Sequence, residues 1–440
     1  MKKSLFLMAA ASALMLTACT NEDATNESVV SNGAQAVAFD TYVPNATRTG
    51  DAGVQTTTTL QTAAKGFGVF ATYSDDVDYA TWKNGTNIIP NFMYNQHVTY
   101  SSPSWIYSPI KYWPNETTVD MLNASGHASS TATDKLSFFA YAPYVADFST
   151  KVADTDNAAP TPNAIENVGI TALTANTDKV DPFVTYQIAY TPSKSVDLLW
   201  GVAPSGGLTY TAVNNVDITK DEGLPLIDLV KPSKNQKIKF LFKHALARVG
   251  LKVVAAVDQI APGGNLDSET KIFVNSVTIE DAAGNLATTA DLNLNNGTAN
   301  IANWDQTADP NFKLVVNSSR EINTDITSSG TGVTTSEKDV INGGGYFMLI
   351  PTPGTAKATF KVTIDYDVET TDASLNGGKS TVNNVIWKNI EVGDNTNGFT
   401  NNKAYTLKLI LGLTSVKLDA EVAEWEIEGD INVDLPRNQE

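Results

Sequence analysis

Gly66-Phe67-Gly68-Val69-Phe70-Ala71-Thr72-Tyr73 is a short run of aromatic and β-branched residues, and it gives way to the polar Ser74-Asp75-Asp76. Two later runs are built alike: Phe92-Met93-Tyr94-Asn95-Gln96-His97-Val98-Thr99-Tyr100 and Leu136-Ser137-Phe138-Phe139-Ala140-Tyr141. All three are shorter than a core helix and rich in side chains that suit a pleated surface. Turn residues separate them, so the cadence is that of a sandwich or barrel rather than of alternating strands and helices.

Working towards the amino end, Ala36-Val37-Ala38-Phe39-Asp40-Thr41-Tyr42 reads as a first strand that stops at Pro44, with Val37, Phe39 and Tyr42 on its buried edge. Asn45 to Thr59 is polar and holds Thr47-Arg48-Thr49-Gly50-Asp51 as an exposed loop. Towards the carboxyl end, residues 145–190 are rich in Thr, Asn, Asp and Pro and read as long surface loops, with a short helix around Ala164 to Leu173.

Asp228-Leu229-Val230-Lys231-Pro232-Ser233-Lys234-Asn235 reads as a joint, because a proline and a polar cluster precede a new series of strands. That series comprises Lys237 to Phe242, Arg248 to Val254, Ile272 to Glu280, Lys313 to Asn317, Tyr346 to Pro351, Ala358 to Val368, Val382 to Val392 and Ala404 to Leu413. Turns are expected at Asp281-Ala282-Ala283-Gly284-Asn285 and Asn342-Gly343-Gly344-Gly345. The second half therefore also reads as a β-sandwich, and no short fixed repeat appears.

The first residues carry a different message. Lys2 and Lys3 precede an apolar stretch from Leu5 to Leu16, followed by Thr17, Ala18 and Cys19. A basic start, a short apolar core and small residues at the cut make residues 1–18 a secretory signal. The apolar core is shorter than the about 20 residues of a spanning helix. Cys19 is the single cysteine of the chain, and Leu16-Thr17-Ala18-Cys19 resembles a lipobox, which marks Cys19 as the lipidated residue. Thr20 stands where an Asp would favour retention at the inner membrane, so an outer-membrane lipoprotein is expected. Acyl burial at about 0.8 kcal/mol per CH₂ makes a multi-chain anchor stable. Residues 19–35 are polar and small and read as a flexible tether.

The remaining length suits two all-β domains of roughly 200 residues each. We set them at residues 36–232 and 233–440. A net charge of −18 argues against nucleic acid or acidic lipid as a partner.

Three blocks in the first half carry a family likeness: Phe92-Met93-Tyr94-Asn95-Gln96, Trp105 to Pro114, and Phe138-Phe139-Ala140-Tyr141-Ala142-Pro143-Tyr144. Three more follow: Asp197-Leu198-Leu199-Trp200-Gly201, Phe242 to Val249, and Val422-Ala423-Glu424-Trp425. In this order they resemble the fimbrillin family of lipoprotein pilus subunits, over most of residues 36–428.

The resemblance implies two Ig-like or transthyretin-like β-sandwich domains and polymerisation into a type V pilus that supports cell adhesion. In that scheme a protease cuts after an arginine beyond the first strand, and the vacated groove takes a terminal strand from another subunit. The partners implied are other copies or related pilus subunits, an Arg-specific processing protease and, before processing, the outer membrane.

The sequence holds candidates for each part. Arg48 is the first arginine and Arg248 the next, so cleavage between Arg48 and Thr49 would free a strand carrying Val37 and Phe39. In the C-terminal tail, Ile431, Val433 and Leu435 alternate with Asn432 and Asp434, which places three apolar groups on one face of a donor strand. The same tail also fits a last edge strand of its own domain.

No catalytic set emerges. His97, His127 and His244 lack metal-ligand spacing, and neither a nucleophile elbow nor a phosphate or dinucleotide loop appears. The pairs Asp365 with Asp367 and Glu424 with Glu426 read as solvated strand faces rather than glycosidase carboxylates. Asp154-Thr155-Asp156-Asn157 lacks the glycine and terminal glutamate of a calcium loop. We therefore expect a non-enzyme without metal or cofactor. The aromatic block Trp105, Tyr107, Tyr112 and Trp113 fits a sandwich core or a sugar-stacking surface, which leaves a monomeric lipoprotein binding glycan or a host ligand as the rival reading.

Overall fold

The structure is a computed structural model. It describes residues 35–43, 54–62, 65–85, 89–114, 134–148, 154–155, 164–165, 167–176, 179–205, 217–221, 223–231, 237–255, 270–296, 302–317, 324–325, 338–340, 345–411 and 416–424.

The chain is almost entirely β, as the cadence of its apolar runs predicts. In order, the first half gives β1 (Phe39–Tyr42), α1 (Thr57–Leu60), β2 (Phe67–Tyr73), α2 (Tyr79–Trp82), β3 (Met93–Ser101), β4 (Ser104–Ile106) and β5 (Lys135–Ala142). Then come β6 (Asp154–Thr155), β7 (Ala164–Ile165), β8 (Gly169–Asn176), β9 (Lys179–Gln187), β10 (Leu199–Val202), β11 (Pro204–Ser205), β12 (Asp217–Asp221) and β13 (Leu226–Val230). The second half supplies β14 (Ile238–His244), β15 (Ala247–Ala255), β16 (Thr270–Asp281), β17 (Thr289–Asn293), β18 (Asn303–Gln306), β19 (Lys313–Asn317) and β20 (Thr324–Asp325). It ends with β21 (Lys338–Asp339), β22 (Phe347–Leu349), β23 (Ala358–Thr371), β24 (Lys379–Val392), β25 (Lys403–Leu411) and β26 (Val416–Glu424).

The first sheet runs β1-β14-β10-β5-β2-β3-β4, with β13 also paired to β5. Its central strands are covered on both faces, which is why their sequences read as continuous apolar runs rather than clean alternation. Neighbouring residues point into different cores: Phe138, Phe240 and Leu199 into one, Phe139, Leu241 and Trp200 into the other. The first of these cores is closed by Phe39, Phe67, Trp105 and Trp113. The second continues into the later sheets, through Leu251, Val274, Ile364 and Leu409.

Those later sheets run β21-β15-β25-β26 and β19-β16-β23-β24, while β18-β17-β9-β8 forms a four-stranded sheet. Pairing crosses the expected 232/233 boundary in both directions. β14, beyond the expected joint, pairs with β1 and β10 in the first sheet, and β9 pairs with β17. The change from first to second sheet falls between His244 and Ala247, where the joint itself is buried. Its backbone is bonded on several sides: Ala245 N donates to Leu198 O, while Trp304 Nε1 donates to Ala245 O and Asn402 N to Leu246 O.

Residues 145–190 depart from the loop-and-helix expectation. The expected helix around Ala164 to Leu173 is β7 and β8, and the loop after it is β9. Gly169 opens β8 at φ +85°, and a Cβ there would lie 2.9 Å from the Val196 side chain, so a glycine lets the strand start against its neighbour. Pro182 masks β9 in the sequence, although Val184 and Tyr186 bury the alternate side chains of a strand. Asp181 on β9 gathers Tyr79 Oη at 3.0 Å, Asn295 Nδ2 at 3.1 Å, Asn293 Nδ2 at 3.2 Å and Lys83 Nζ at 3.4 Å. One buried carboxylate thereby ties α2 and β17 to β9.

Candidate functional site

β1 is an edge strand, and its alternation decides what it buries: Phe39 and Thr41 face inwards, Asp40 and Tyr42 only partly. It runs parallel to β14, with Phe39 opposite Ile238 and Tyr42 opposite Leu241. Val37, just before it, is 1% exposed, as is Phe39. The expected buried edge at Val37 and Phe39 is therefore present, whereas Tyr42 is only partly buried.

Phe39 enters a box of four rings. Phe240 lies at 6.1 Å and 20° to it, while Phe67 at 6.2 Å, Phe138 at 6.1 Å and Tyr107 at 5.4 Å meet it edge-on. Each ring comes from a different stretch of chain, so the box exists only once β2, β5 and β14 have aligned.

Upstream of Ala38 the strand changes partners. Ala38 O accepts from Ile238 N at 2.8 Å, but residues 35–37 turn to the strap Tyr107–Trp113. Trp113 N donates to Gln35 O at 2.8 Å, and Val37 N donates to Lys111 O at 2.9 Å. Tyr107 Oη donates to Val37 O at 2.8 Å and accepts from Lys111 N at 3.2 Å. Burial pushes the Tyr107 hydroxyl up to about 12, so it is a neutral donor at ordinary pH.

Downstream, Val43 is held to the start of α1: Thr57 Oγ1 accepts from Val43 N at 2.9 Å and reaches Val43 O at 3.2 Å. A capping box between Thr56 and Thr59 sets the first turn of that helix. Gln55 N donates to Asp197 Oδ2 at 2.9 Å, and the same oxygen lies 2.8 Å from His244 Nδ1. The body is thus anchored just beyond residues 44–53, the segment that carries Arg48 and Thr49.

Among the sequence-derived site residues, Val37 and Phe39 come together in this slot. Cys19, Arg48, Thr49, Ile431, Val433 and Leu435 lie outside the described residues, as do residues 1–34, His127, Trp425 and Glu426. Of the aromatic block, Trp105 and Trp113 are buried and Tyr107 is part-buried, while Tyr112 is 50% exposed. The sugar-stacking alternative is left with one ring. Sequence reading missed the roles of Lys111 and Phe240. The alternation of Phe240 and Phe242 with Lys239 was visible, but nothing local tells which sheet that strand joins.

Several residues weighed for chemistry have structural partners. His97 stacks on Tyr144 at 3.7 Å and 8°, and its Nε2 lies 2.9 Å from Lys65 O. Asp365 accepts from Asn275 and Asn383, and Asp367 from Asn383, across the face of the β16–β23–β24 ladder. Asp281 caps the expected turn by accepting from the amides of Ala283, Gly284, Asn285 and Leu286. Among the described residues, no group of three or more His, Cys, Asp or Glu is placed to hold a metal, and no helix is long and apolar enough to cross a membrane.

No protein-family model matches the chain. It is 24% identical to the fimbrium subunit Fim1C of Phocaeicola vulgatus over 450 residues, spanning 98% of this chain and 99% of that one. Among solved structures, a fimbrial protein from Bacteroides vulgatus superposes with a TM-score of 0.57 at 20% identity, covering 89% of this chain and 99% of the other. The latter likeness concerns the fold. The resemblance read from the sequence blocks is borne out by a relative that matches from end to end.

Proposed function

We propose that this chain is a structural subunit of a surface fimbrium that supports adhesion, and that β1 is a removable strand holding its slot closed until assembly. The observation that carries the reading is the placement of Val37 and Phe39: both are buried at a sheet edge, and Phe39 fills an aromatic box. Their burial contributes about 1.5–3 kcal/mol each. While β1 is in place, the edge of β14 is paired and cannot recruit another chain.

In this reading Cys19 is the lipidated residue of an outer-membrane precursor, cleavage falls between Arg48 and Thr49, and the mature chain belongs to a pilus at the cell surface. The vacated slot accepts a strand from another copy or a related subunit, with Ile431, Val433 and Leu435 as the donor side chains. Pinning of Val43 to Thr57 and of Gln55 to Asp197 supports the division, because only the former must break when the strand leaves.

Incubation with an Arg-specific protease, followed by N-terminal sequencing and electron microscopy, tests it. Filaments of chains beginning at Thr49 are expected, and none from Arg48→Ala. Equal polymer yield from the variant and the unmodified chain would refute the scheme.

A further inference from the structure

We infer that the strap Tyr107–Trp113 is the retained far wall of the slot, and that Tyr107 is the positioning residue that fixes the register of whatever strand occupies it. The inference rests on the strand-replacement reading above. It adds what an incoming strand must present.

β14 and the strap address different parts of the occupying backbone. β14 pairs with residues 39–42 and takes Ala38 O, whereas the strap takes Gln35 O and both polar groups of Val37. At Val37 the contact is a closed triangle. Its N–H goes to Lys111 O, its carbonyl accepts from Tyr107 Oη, and that hydroxyl accepts from Lys111 N.

A hydroxyl has one proton to give. Val37 O lies at 2.8 Å from Tyr107 Oη and Lys111 O at 3.3 Å, so the strand's carbonyl takes it while the slot is filled. When the strand leaves, Lys111 O is freed of the Val37 N–H and becomes the fallback acceptor for the same hydroxyl. The strap therefore keeps its internal bonding without an occupant and stays preformed.

The Tyr107 ring also forms one wall of the box around Phe39, 5.4 Å away. Hydroxyl and ring together link two positions of the occupant: a backbone carbonyl at one residue and a large apolar side chain two residues later. A strand slipped by one residue would turn its apolar side chains to the other face and lose the box. The partner is thus an extended segment of another copy or related subunit, entering with the direction of β1 and carrying that pair of features.

The test uses the full chain nicked after Arg48, and a fluorescent peptide with the sequence of residues 35–47. Its binding is compared with that of a Val37 thioamide peptide, whose sulfur is a poor acceptor, and of a Phe39→Ala peptide, on unmodified and Tyr107→Phe chains. The thioamide should weaken binding about tenfold on the unmodified chain, equivalent to about 1.4 kcal/mol. On Tyr107→Phe it should have no effect, while the Phe39→Ala peptide is weakened equally on both.

An equal thioamide penalty on the two chains would overturn the role of Tyr107. If Tyr107→Phe does not fold, a thioamide peptide that binds the unmodified chain as well as its parent does so alone. Filaments accompanied by equal penalties would sink this inference and leave the proposed function standing. A nicked chain that takes up no peptide and forms no filaments would remove the strand-replacement reading itself.

Discussion

Replacing Phe39 by alanine is the sharpest test of how tightly β1 is held. The ring is 1% exposed and touches four other rings, of which Phe67 and Phe240 also meet each other at 6.0 Å. Such a wall collapses little, so the cost belongs in the upper part of the usual about 3–5 kcal/mol for a buried Phe→Ala change. A loss of about 4 kcal/mol is nearly a thousandfold in an equilibrium constant. Since Ile238 N–H is bonded to Ala38 O, its hydrogen exchange reports directly on opening of the strand. Protection at Ile238 should fall by two to three decades, roughly, with a matching shift in urea unfolding. A variant within about 1 kcal/mol of the unmodified chain by both measures would show that the slot does not depend on this ring.

Thr41→Val should raise stability by about 1 kcal/mol in chemical denaturation, because the buried Thr41 hydroxyl has no hydrogen-bond partner among the described residues and a methyl group fits its shape; a loss would mean that it is solvated. Asp181→Ala should cost about 3 kcal/mol in thermal unfolding, since it strands the Tyr79 hydroxyl and the amides of Asn293 and Asn295. An unchanged melting temperature would contradict the proposed tie between α2 and the four-stranded sheet. Burial raises Tyr107 and Tyr405 to about 12. The unfolded chain sheds those protons near pH ~10 while the native one keeps them, so stability is intact below that pH and is lost as pH rises towards 12. Tyr405→Phe should flatten the alkaline slope of a urea-midpoint titration, and an identical slope would remove that contribution.

The strands of this chain were legible wherever a run was short, apolar and bounded by turn residues, as at 67–73, 135–142 and 358–371. Val37 and Phe39 were legible too, since period-two alternation before a proline needs no partner to be recognised. What stayed hidden was pairing. The Phe240 ring meets Phe39 across roughly two hundred residues of chain, and the polar cluster before Lys237 reads as a break although the strand that follows belongs to the first sheet. β9 was lost for the opposite reason: Asp181 and Pro182 look like loop chemistry, yet the carboxylate is satisfied by side chains from α2 and β17. Tyr107 could be seen as an aromatic, but its hydroxyl's acceptor at Val37 is a tertiary fact.

The orientation of β1 beside β14 reaches beyond one molecule. In the strand-replacement assembly proposed above, a guest that reproduces its hydrogen bonds would enter the slot only one way round, so each joint between molecules would have a fixed sense. Such joints are heterologous: the surface that gives differs from the surface that receives. Repeated without closure, they would build a thread whose two tips are chemically unlike, one ending in an unfilled slot and the other in an unspent strand, and growth from the two tips would be distinguishable.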